Sequence, residues 1–276
     1  MNTIAKVRPR SEVIMLLIQP MANWGVRQLA KWRVNPLLIV LSHALCGFMA
    51  ALLIVRGTTG SVNHFVYAAI LLQLKTLLDN MDGGLARATG QITQMGRYFD
   101  TGMDFLVNIA LFVALSLYGS PLLSLVAFSL LTLILSFDYN AERLYKMVRS
   151  PIDKQATLPI GAPHLLFQSF KTLYMFLLAP QDNLIARFDH WLFSRVANTS
   201  YRSAPRSQTL AWSDLFSTAS LVNLGLSSQM FLLGVFLLVG KPFWYVYSLF
   251  FQALYVVAVQ LVRMRRFALT LGKTHA

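Results

Sequence analysis

The sequence predicts an all-α integral membrane protein with six transmembrane helices, an N-terminal interfacial amphipathic helix, and a cytoplasmic insertion between the fourth and fifth spans. Three observations carry that prediction. Of the 276 residues, 56% are hydrophobic and the mean hydropathy is +0.55, beyond what a soluble core requires. Uncharged runs long enough to cross a bilayer recur along the chain. Lys and Arg gather on one side of those runs.

Residues 1–36 form an amphipathic juxtamembrane segment. The apolar run Val13 to Ile18 has six residues, too few for a secretory h-region, so no cleaved signal is expected. Across 12–33, Trp24, Val26, Leu29, Ala30 and Trp32 interleave with Arg27, Lys31 and Arg33, which suits a helix lying in the headgroup layer. Asn35-Pro36 ends that helix and opens the first span, because the residue before proline is pushed out of helical geometry while proline suits a first turn.

Residues 37–138 hold spans one to four. Uncharged runs cover Val34 to Val55, Gly57 to Leu74 and Phe105 to Phe137. The last is divided at Tyr118-Gly119-Ser120-Pro121, a helix stop followed by a proline that can begin a new helix. Residues 139–211 are long for a helix connection and mix charge with apolar pieces such as Leu165 to Leu178. They are expected to form a cytoplasmic insertion of two interfacial helices, followed by a polar linker from Asn198 to Gln208. The apolar piece carries Lys171, and a further crossing there would move Arg263, Arg265 and Arg266 to the wrong side. Runs from Leu215 to Gly240 and Pro242 to Val262 supply spans five and six within 212–262, and 263–276 is a basic tail.

Sorted by these spans, 21 Lys and Arg lie on the side of the termini, against Arg56 and Lys241 on the other, with Lys75 inside a span. A multi-pass protein of the cell inner membrane with both termini cytoplasmic is expected. The net charge of +13 then meets anionic lipid headgroups; no isolated basic face supports a nucleic-acid partner. Cys46 is the one cysteine, which excludes an intramolecular disulfide and leaves a small packing residue. Phe243, Trp244, Tyr245 and Tyr247 follow Lys241-Pro242 and read as an interfacial aromatic belt. His43, in the first span, and His64, at the outer end of the second, read as packing or interface residues. His164 and His190 fall in the insertion, where a solvated interfacial face is the default and contact with an acceptor the alternative.

Between Asp79 and Asp104 the chain reads DNMDGGLARATGQITQMGRYFDTGMD, which puts four carboxylates at the ends of two hydrophobic stretches. Charge there is costly and calls for a function. The second span is expected to run from about Asn63 into the Gly83-Gly84 pair, with Asp79 and Asp82 on neighbouring faces of its end. The third begins near Gly96, and Gly96, Asp100 and Asp104 then share one stripe. If Ala88 to Met95 reverses the chain, all four acids converge. Four such carboxylates repel one another unless divalent cations hold them, and oxygen donors alone favour magnesium, manganese or calcium over zinc. Gly83 and Gly96 lack side chains where a bulky ligand must come close, and Arg87 offers a guanidinium fork for phosphate oxygens. Acids, metals and arginine around a small-residue cleft suggest a diphosphate substrate. Two bland readings compete: Lys75, four residues before Asp79, makes a structural ion pair, or the acids line a cation pathway.

The spacing Asp79-x2-Asp82-Gly83-x2-Ala86-Arg87-x8-Gly96-x3-Asp100-x3-Asp104 resembles the CDP-alcohol phosphotransferase family at every defining position. Six spans and the Asn35-Pro36 opening of the first are similar to that family too. The resemblance implies transfer of a phosphatidyl or related phosphoryl group from a CDP-linked donor to an alcohol, with release of CMP. It further implies two divalent metals, Mg2+ or Mn2+, held by Asp79, Asp82 and Asp100, with Asp104 as the catalytic base that also touches one metal. Asp82, Gly83, Ala86, Arg87, Gly96 and Asn35 would hold the CDP portion. CDP-diacylglycerol, a small polar alcohol, membrane lipids and a second copy in a homodimer are the implied partners.

The resemblance also implies that members accepting a phosphorylated alcohol need basic residues near the cytoplasmic end of the fourth span, where Phe137 to Arg143 offers one arginine beside Asp138 and Glu142. A neutral or zwitterionic alcohol fits better there, with the Lys and Arg of 143–206 as the alternative source of positive charge. Asp100-Thr101-Gly102-Met103-Asp104 also resembles members that move phosphocholine or phosphoethanolamine from CDP to diacylglycerol. That reversed pairing and, in a different class, a non-enzymatic protein that binds or conducts cations are the alternatives.

Overall fold

A computed structural model describes residues 13–59, 62–149 and 165–274, and every regular element among them is helical. The expectations resting on the basic residues of 1–12 and on His164 fall outside the described residues. Helix α1 (Val13–Lys31) closes where Arg33 takes the left-handed conformation, with φ 49°, a common helix terminator. Helix α2 (Pro36–Gly57) has Asn35 as its cap, the side chain accepting from the Leu37 amide at 3.0 Å, and Pro36 in its first turn. This is the start the Asn-Pro pair predicts.

Helix α3 (Val62–Thr89) runs straight through Gly83-Gly84, where its end was expected. The chain turns only at Gly90, whose φ of +71° suits a residue without a side chain. The pair has a packing reason to stay helical: a Cβ on Gly84 would meet Val26 Cγ2 at 2.9 Å, so this glycine lets α1 lie against α3. Ala22, Val26 and Leu29 of α1 pack there with Ile39, Met81 and Leu85, while Trp24, Trp32, Arg27, Lys31 and Arg33 are exposed. Helix α4 (Gln94–Ser116) starts with Thr93 as cap, its hydroxyl accepting from the Gly96 amide at 3.0 Å. Helix α5 (Pro121–Arg149) follows the expected stop at Tyr118–Ser120.

The described part of the insertion is helical. Helix α6 (Leu165–Leu173), a wide π-turn (Tyr174–Leu178), α7 (Ala179–Ala197) and α8 (Arg206–Trp212) fold onto the bundle end that carries the acidic motif. Phe170 stacks edge-on against Phe99 of α4, with ring centroids 5.1 Å apart. On the other side, Ser136 of α5 donates to Asp182 at 2.6 Å. His190 is half-buried and stacks on Tyr201 at 4.5 Å, so the solvated face expected for it is replaced by a ring contact.

The run Leu215 to Gly240 was expected to be one span. It is two helices, α9 (Leu215–Val222) and α10 (Leu226–Leu238), bent by 47°. The break falls at Asn223-Leu224-Gly225, poor helix formers at either side of Leu224. Gln229 satisfies part of the freed backbone by donating to the Leu224 carbonyl at 2.9 Å, as a backbone break in an apolar setting demands, while the Asn223 side-chain oxygen accepts from the Val13 amide at the start of α1, at 2.8 Å. Helix α11 (Trp244–Thr274) completes the chain. The aromatic belt is half internal, since Tyr245 is buried and donates to Gln229 at 3.1 Å, and Phe243 is also buried. Trp244 and Tyr247 are exposed as expected.

Four helices, α2, α4, α5 and α11, are long and apolar enough to cross a membrane, or five crossings if α9 and α10 form one span. Six were expected. The shortfall is α3, whose composition is diluted by His64, Gln73, Lys75 and Asp79. Lys75 and Thr76 point inward, and Gln73 donates to the Met230 carbonyl of α10 at 3.3 Å. Outward, α2 exposes Leu38, Leu41, Leu45 and Leu52, and α11 exposes Phe251, Leu254 and Leu261. Continuous apolar faces of this kind mark a protein that lives in a membrane.

Candidate active site

Three helices meet where the acidic motif lies. Helix α3 packs against α2 and α2 against α4, so the motif end of the bundle draws its polar side chains from three directions. From α3 come Lys75, Asp79 and Asp82, spaced to share one side of the helix. From α4 come Asp100 and Asp104, one turn apart on the stripe that continues to buried Asn108. All four predicted carboxylates are brought together.

The residue at their centre is one that sequence reasoning set aside as packing. His43 of α2 is wholly buried, and its Nε2 lies 3.3 Å from Asp100, 3.9 Å from Asp79 and 3.9 Å from Asp82. Its Nδ1 lies 3.9 Å from Asp104. Two sets of donor atoms, His43 with Asp79 and Asp104 and His43 with Asp82 and Asp100, each fall within 4.8 Å of one another. The sequence signal was weak: a single histidine within the uncharged run Val34 to Val55.

Lys75 makes the ion pair with Asp79 that the bland reading offered, at 4.0 Å, but its closer partner is Asp104 of α4, to which its ammonium donates at 2.6 Å. A buried lysine thus ties α3 to α4 across the site. One fixed cation against four carboxylates leaves the pocket strongly negative, and buried charge without compensation is costly.

The donor set fits divalent cations. Oxygens from four carboxylates converge, and both His43 nitrogens and Asp100 Oδ1 are buried without a hydrogen-bond partner. Groups in that state are rare unless they serve a ligand.

The remaining motif residues flank the acids in sequence. Asp82 accepts from the neighbouring Gly83 amide. A Cβ on Gly83 would find only the Arg87 guanidinium within 4 Å, at 3.4 Å, and one on Gly96 only the Thr93 hydroxyl, at 3.1 Å. Both glycines therefore border space rather than packed neighbours. Ala86 is half-buried and Arg87 exposed, one turn beyond Asp82 and Gly83. Asn35 is exposed, with its side-chain oxygen engaged in capping α2.

A second polar feature lies under the insertion. A cavity of about 110 Å³ is bordered by Asn140, Arg143, Asp189, His190, Gln260 and Arg263. Arg263, counted as a free cytoplasmic charge from sequence, is buried and paired with Asp189.

The sequence profile of the CDP-alcohol phosphatidyltransferase family matches residues 33–193, a stretch that runs from the α2 cap through the whole acidic cluster into α7. The chain belongs to the CDP-alcohol phosphatidyltransferase family. It is accordingly a transferase of phospholipid synthesis that uses a CDP-linked donor. It is also 28% identical over 158 residues to the archaetidylinositol phosphate synthase of Pyrococcus horikoshii, covering 57% of this chain and 73% of that protein. No solved structure matches the chain. Family membership decides for the enzyme over the cation pathway that the sequence left open.

Proposed function

We propose that this protein joins the phosphatidyl group of CDP-diacylglycerol to a small polar alcohol at the membrane surface, releasing CMP. The observation that carries the proposal is the convergence of Asp79, Asp82, Asp100 and Asp104 on one buried point, with Asp104 held by Lys75. Asp79, Asp82, Asp100 and Asp104 are the residues that would hold two Mg2+ or Mn2+ ions. When bound, such ions neutralise the diphosphate and stabilise the leaving CMP.

The chain's own residues do the rest. Arg87 faces the approach, where its fork can bind diphosphate oxygens, and Asp82, Gly83, Ala86 and Gly96 leave room for the nucleotide along the α3–α4 mouth. Asn35, which caps α2, the helix that carries His43, is the further CDP-binding residue from outside the motif. Lys75 donates to Oδ1 of Asp104 and so positions this carboxylate to accept the proton of the alcohol hydroxyl. The alcohol oxygen then bonds to the phosphatidyl phosphorus, the phosphoanhydride bond breaks, and CMP departs with the electron pair. Direct displacement needs no covalent enzyme intermediate. The lipid tails stay in the bilayer throughout, which suits a polar site at a helix end.

Six crossings, with α3 as the span that composition alone undercounts, would put both termini and the insertion in the cytoplasm of a cell whose inner membrane holds the protein. A homodimer is proposed from family likeness. A neutral or zwitterionic acceptor suits the single Arg143 beside Asp138 and Glu142. A phosphorylated acceptor is the second reading, favoured by the name of the Pyrococcus horikoshii relative.

The test supplies purified protein with CDP-diacylglycerol, Mg2+ or Mn2+, and a panel of neutral, zwitterionic and phosphorylated alcohols, and follows CMP. Metal-dependent release with one class of alcohol is expected. Asp104→Asn should lower it by about 10²–10⁴-fold, the usual contribution of a positioned base. No release with any acceptor, or full activity in Asp104→Asn, would sink the proposal. Release from CDP-choline or CDP-ethanolamine with diacylglycerol would instead establish the reversed pairing.

A further inference from the structure

We propose that His43 is a nitrogen ligand to the divalent ion held by Asp82 and Asp100, and that it biases this centre toward manganese and related first-row metals over magnesium and calcium. The inference rests on the metal-centre reading above and adds to it a ligand from outside the acidic motif, on a different helix.

The geometry distinguishes a ligand from a packing histidine. His43 is 0% exposed and neither ring nitrogen has a hydrogen-bond partner, whereas a core histidine satisfies at least one of them. Its separations from Asp79, Asp82 and Asp104 are each 3.9 Å, beyond hydrogen-bond reach. Those lengths do match donors that share an ion: with metal–donor bonds of about 2.1 Å, neighbouring donors stand about 3 Å apart and opposite ones about 4.2 Å. The closest approach, Nε2 to Asp100 at 3.3 Å, falls inside the same range.

The charge distribution selects the side. Lys75 lies 2.6 Å from Asp104 and 4.0 Å from Asp79, so that half of the cluster already faces a fixed cation. The imidazole borders both halves, but its nearest carboxylate is Asp100, at 3.3 Å, on the half that Lys75 does not reach. Two carboxylates and an imidazole make a mixed nitrogen and oxygen donor set. Magnesium and calcium prefer oxygen alone, while imidazole strengthens binding of manganese and the metals after it.

The experiment uses full-length protein without a histidine tag, in a nitrogen-free detergent, titrated with Mn2+ alone. Pulsed electron paramagnetic resonance reads the nuclei around the bound ion. The expected result is a nitrogen modulation that changes when only histidine carries 15N and that disappears in His43→Gln. In competition titrations His43→Gln should lose about tenfold or more of the preference for Mn2+ over Mg2+, since even residues that only support a ligand change metal affinity about 10–100-fold. Bound Mn2+ without histidine nitrogen, or nitrogen that persists in His43→Gln, overturns the proposal and leaves the carboxylate centre intact. No Mn2+ binding by the wild type, or binding undiminished by Asp82→Asn and Asp100→Asn, overturns the metal centre and the role of His43 with it. The 15N comparison uses the unaltered chain, so it decides the matter even where His43→Gln does not fold.

Discussion

Two regions of this molecule bury charge, and they do so in opposite ways. Under the insertion, Arg263 donates from Nε to the Trp212 carbonyl at 2.8 Å and from its fork to Asp189 and Gln260, while Trp212 Nε1 donates to Asp189 at 3.1 Å. Its guanidinium also lies 4.1 Å from the Trp212 ring centroid. At the acidic end, four carboxylates face one lysine, and a buried imidazole has no hydrogen bond at all. The first network is closed and neutral, and it fastens α7 and α8 to α11. The second is open and negative, and its unsatisfied atoms point at a common space. A satisfied buried charge reads as architecture; an unsatisfied one reads as a site waiting for its ligand.

The largest effect that tests this contrast is on stability. Breaking the closed network by Arg263→Ala strands Asp189, which is 13% exposed, and should cost about 3–5 kcal/mol, the usual penalty for leaving half of a buried pair. Thermal melts in detergent measure it. Replacing both partners, with Asp189→Leu and Arg263→Met, should restore most of the loss. An Arg263→Ala chain that melts like the wild type would mean that the pair is ornamental and the contrast false.

At the acidic end the sign should invert. Asp100→Asn removes one of four mutually repelling carboxylates, so metal-free protein should melt higher than the wild type while CMP release falls. The gain should be smaller than the Arg263 loss, because Asp100 is 34% exposed and solvent screens it. Melts in a chelator, with and without the substitution, give the comparison. A lower melting temperature would show that Asp100 supports the fold rather than a ligand. This pattern, stability given up where function is built, is common at active sites.

What could be read in advance follows the range of the interactions involved. The acid spacing was legible because Asp79 with Asp82, and Gly96 with Asp100 and Asp104, obey helical periodicity within one helix each. The caps Asn35 and Thr93 and the stop before Pro121 are equally local. His43 was not legible, since it lies 36 residues before Asp79 and a histidine in an apolar run looks like any packing residue. Helix α3 passes Gly83-Gly84 only because Val26 of α1 lies against it, and α9 and α10 separate inside a run with no charge to mark the break. The insertion looked interfacial because its partners, Phe99 for Phe170 and Ser136 for Asp182, sit on helices far away in sequence. Local chemistry announced the acidic cluster; long-range packing decided what surrounds it.

The smallest expected effect lies between the two regions, at Asp182. This carboxylate accepts from Ser136 of α5 at 2.6 Å and so hinges the insertion to the bundle. Burial pushes its carboxyl above the ordinary range, and the bonds from Ser136 and Tyr174 with the nearby Arg143 charge only partly oppose that. A carboxyl raised on folding favours its protonated form in the folded state, so the folded chain holds more protons than the unfolded one just above the ordinary carboxylate value of about 3.9. Stability should therefore decline as pH rises from that value through the higher folded one, then level off. Asp182→Asn keeps the shape and the acceptor for Ser136 but has no proton to lose, so its melting temperature should exceed that of the wild type by a margin that opens as pH rises above about 4. A margin that stays constant with pH would place Asp182 with the closed network of Arg263, whereas one that opens places it with the crowded acids of the motif end.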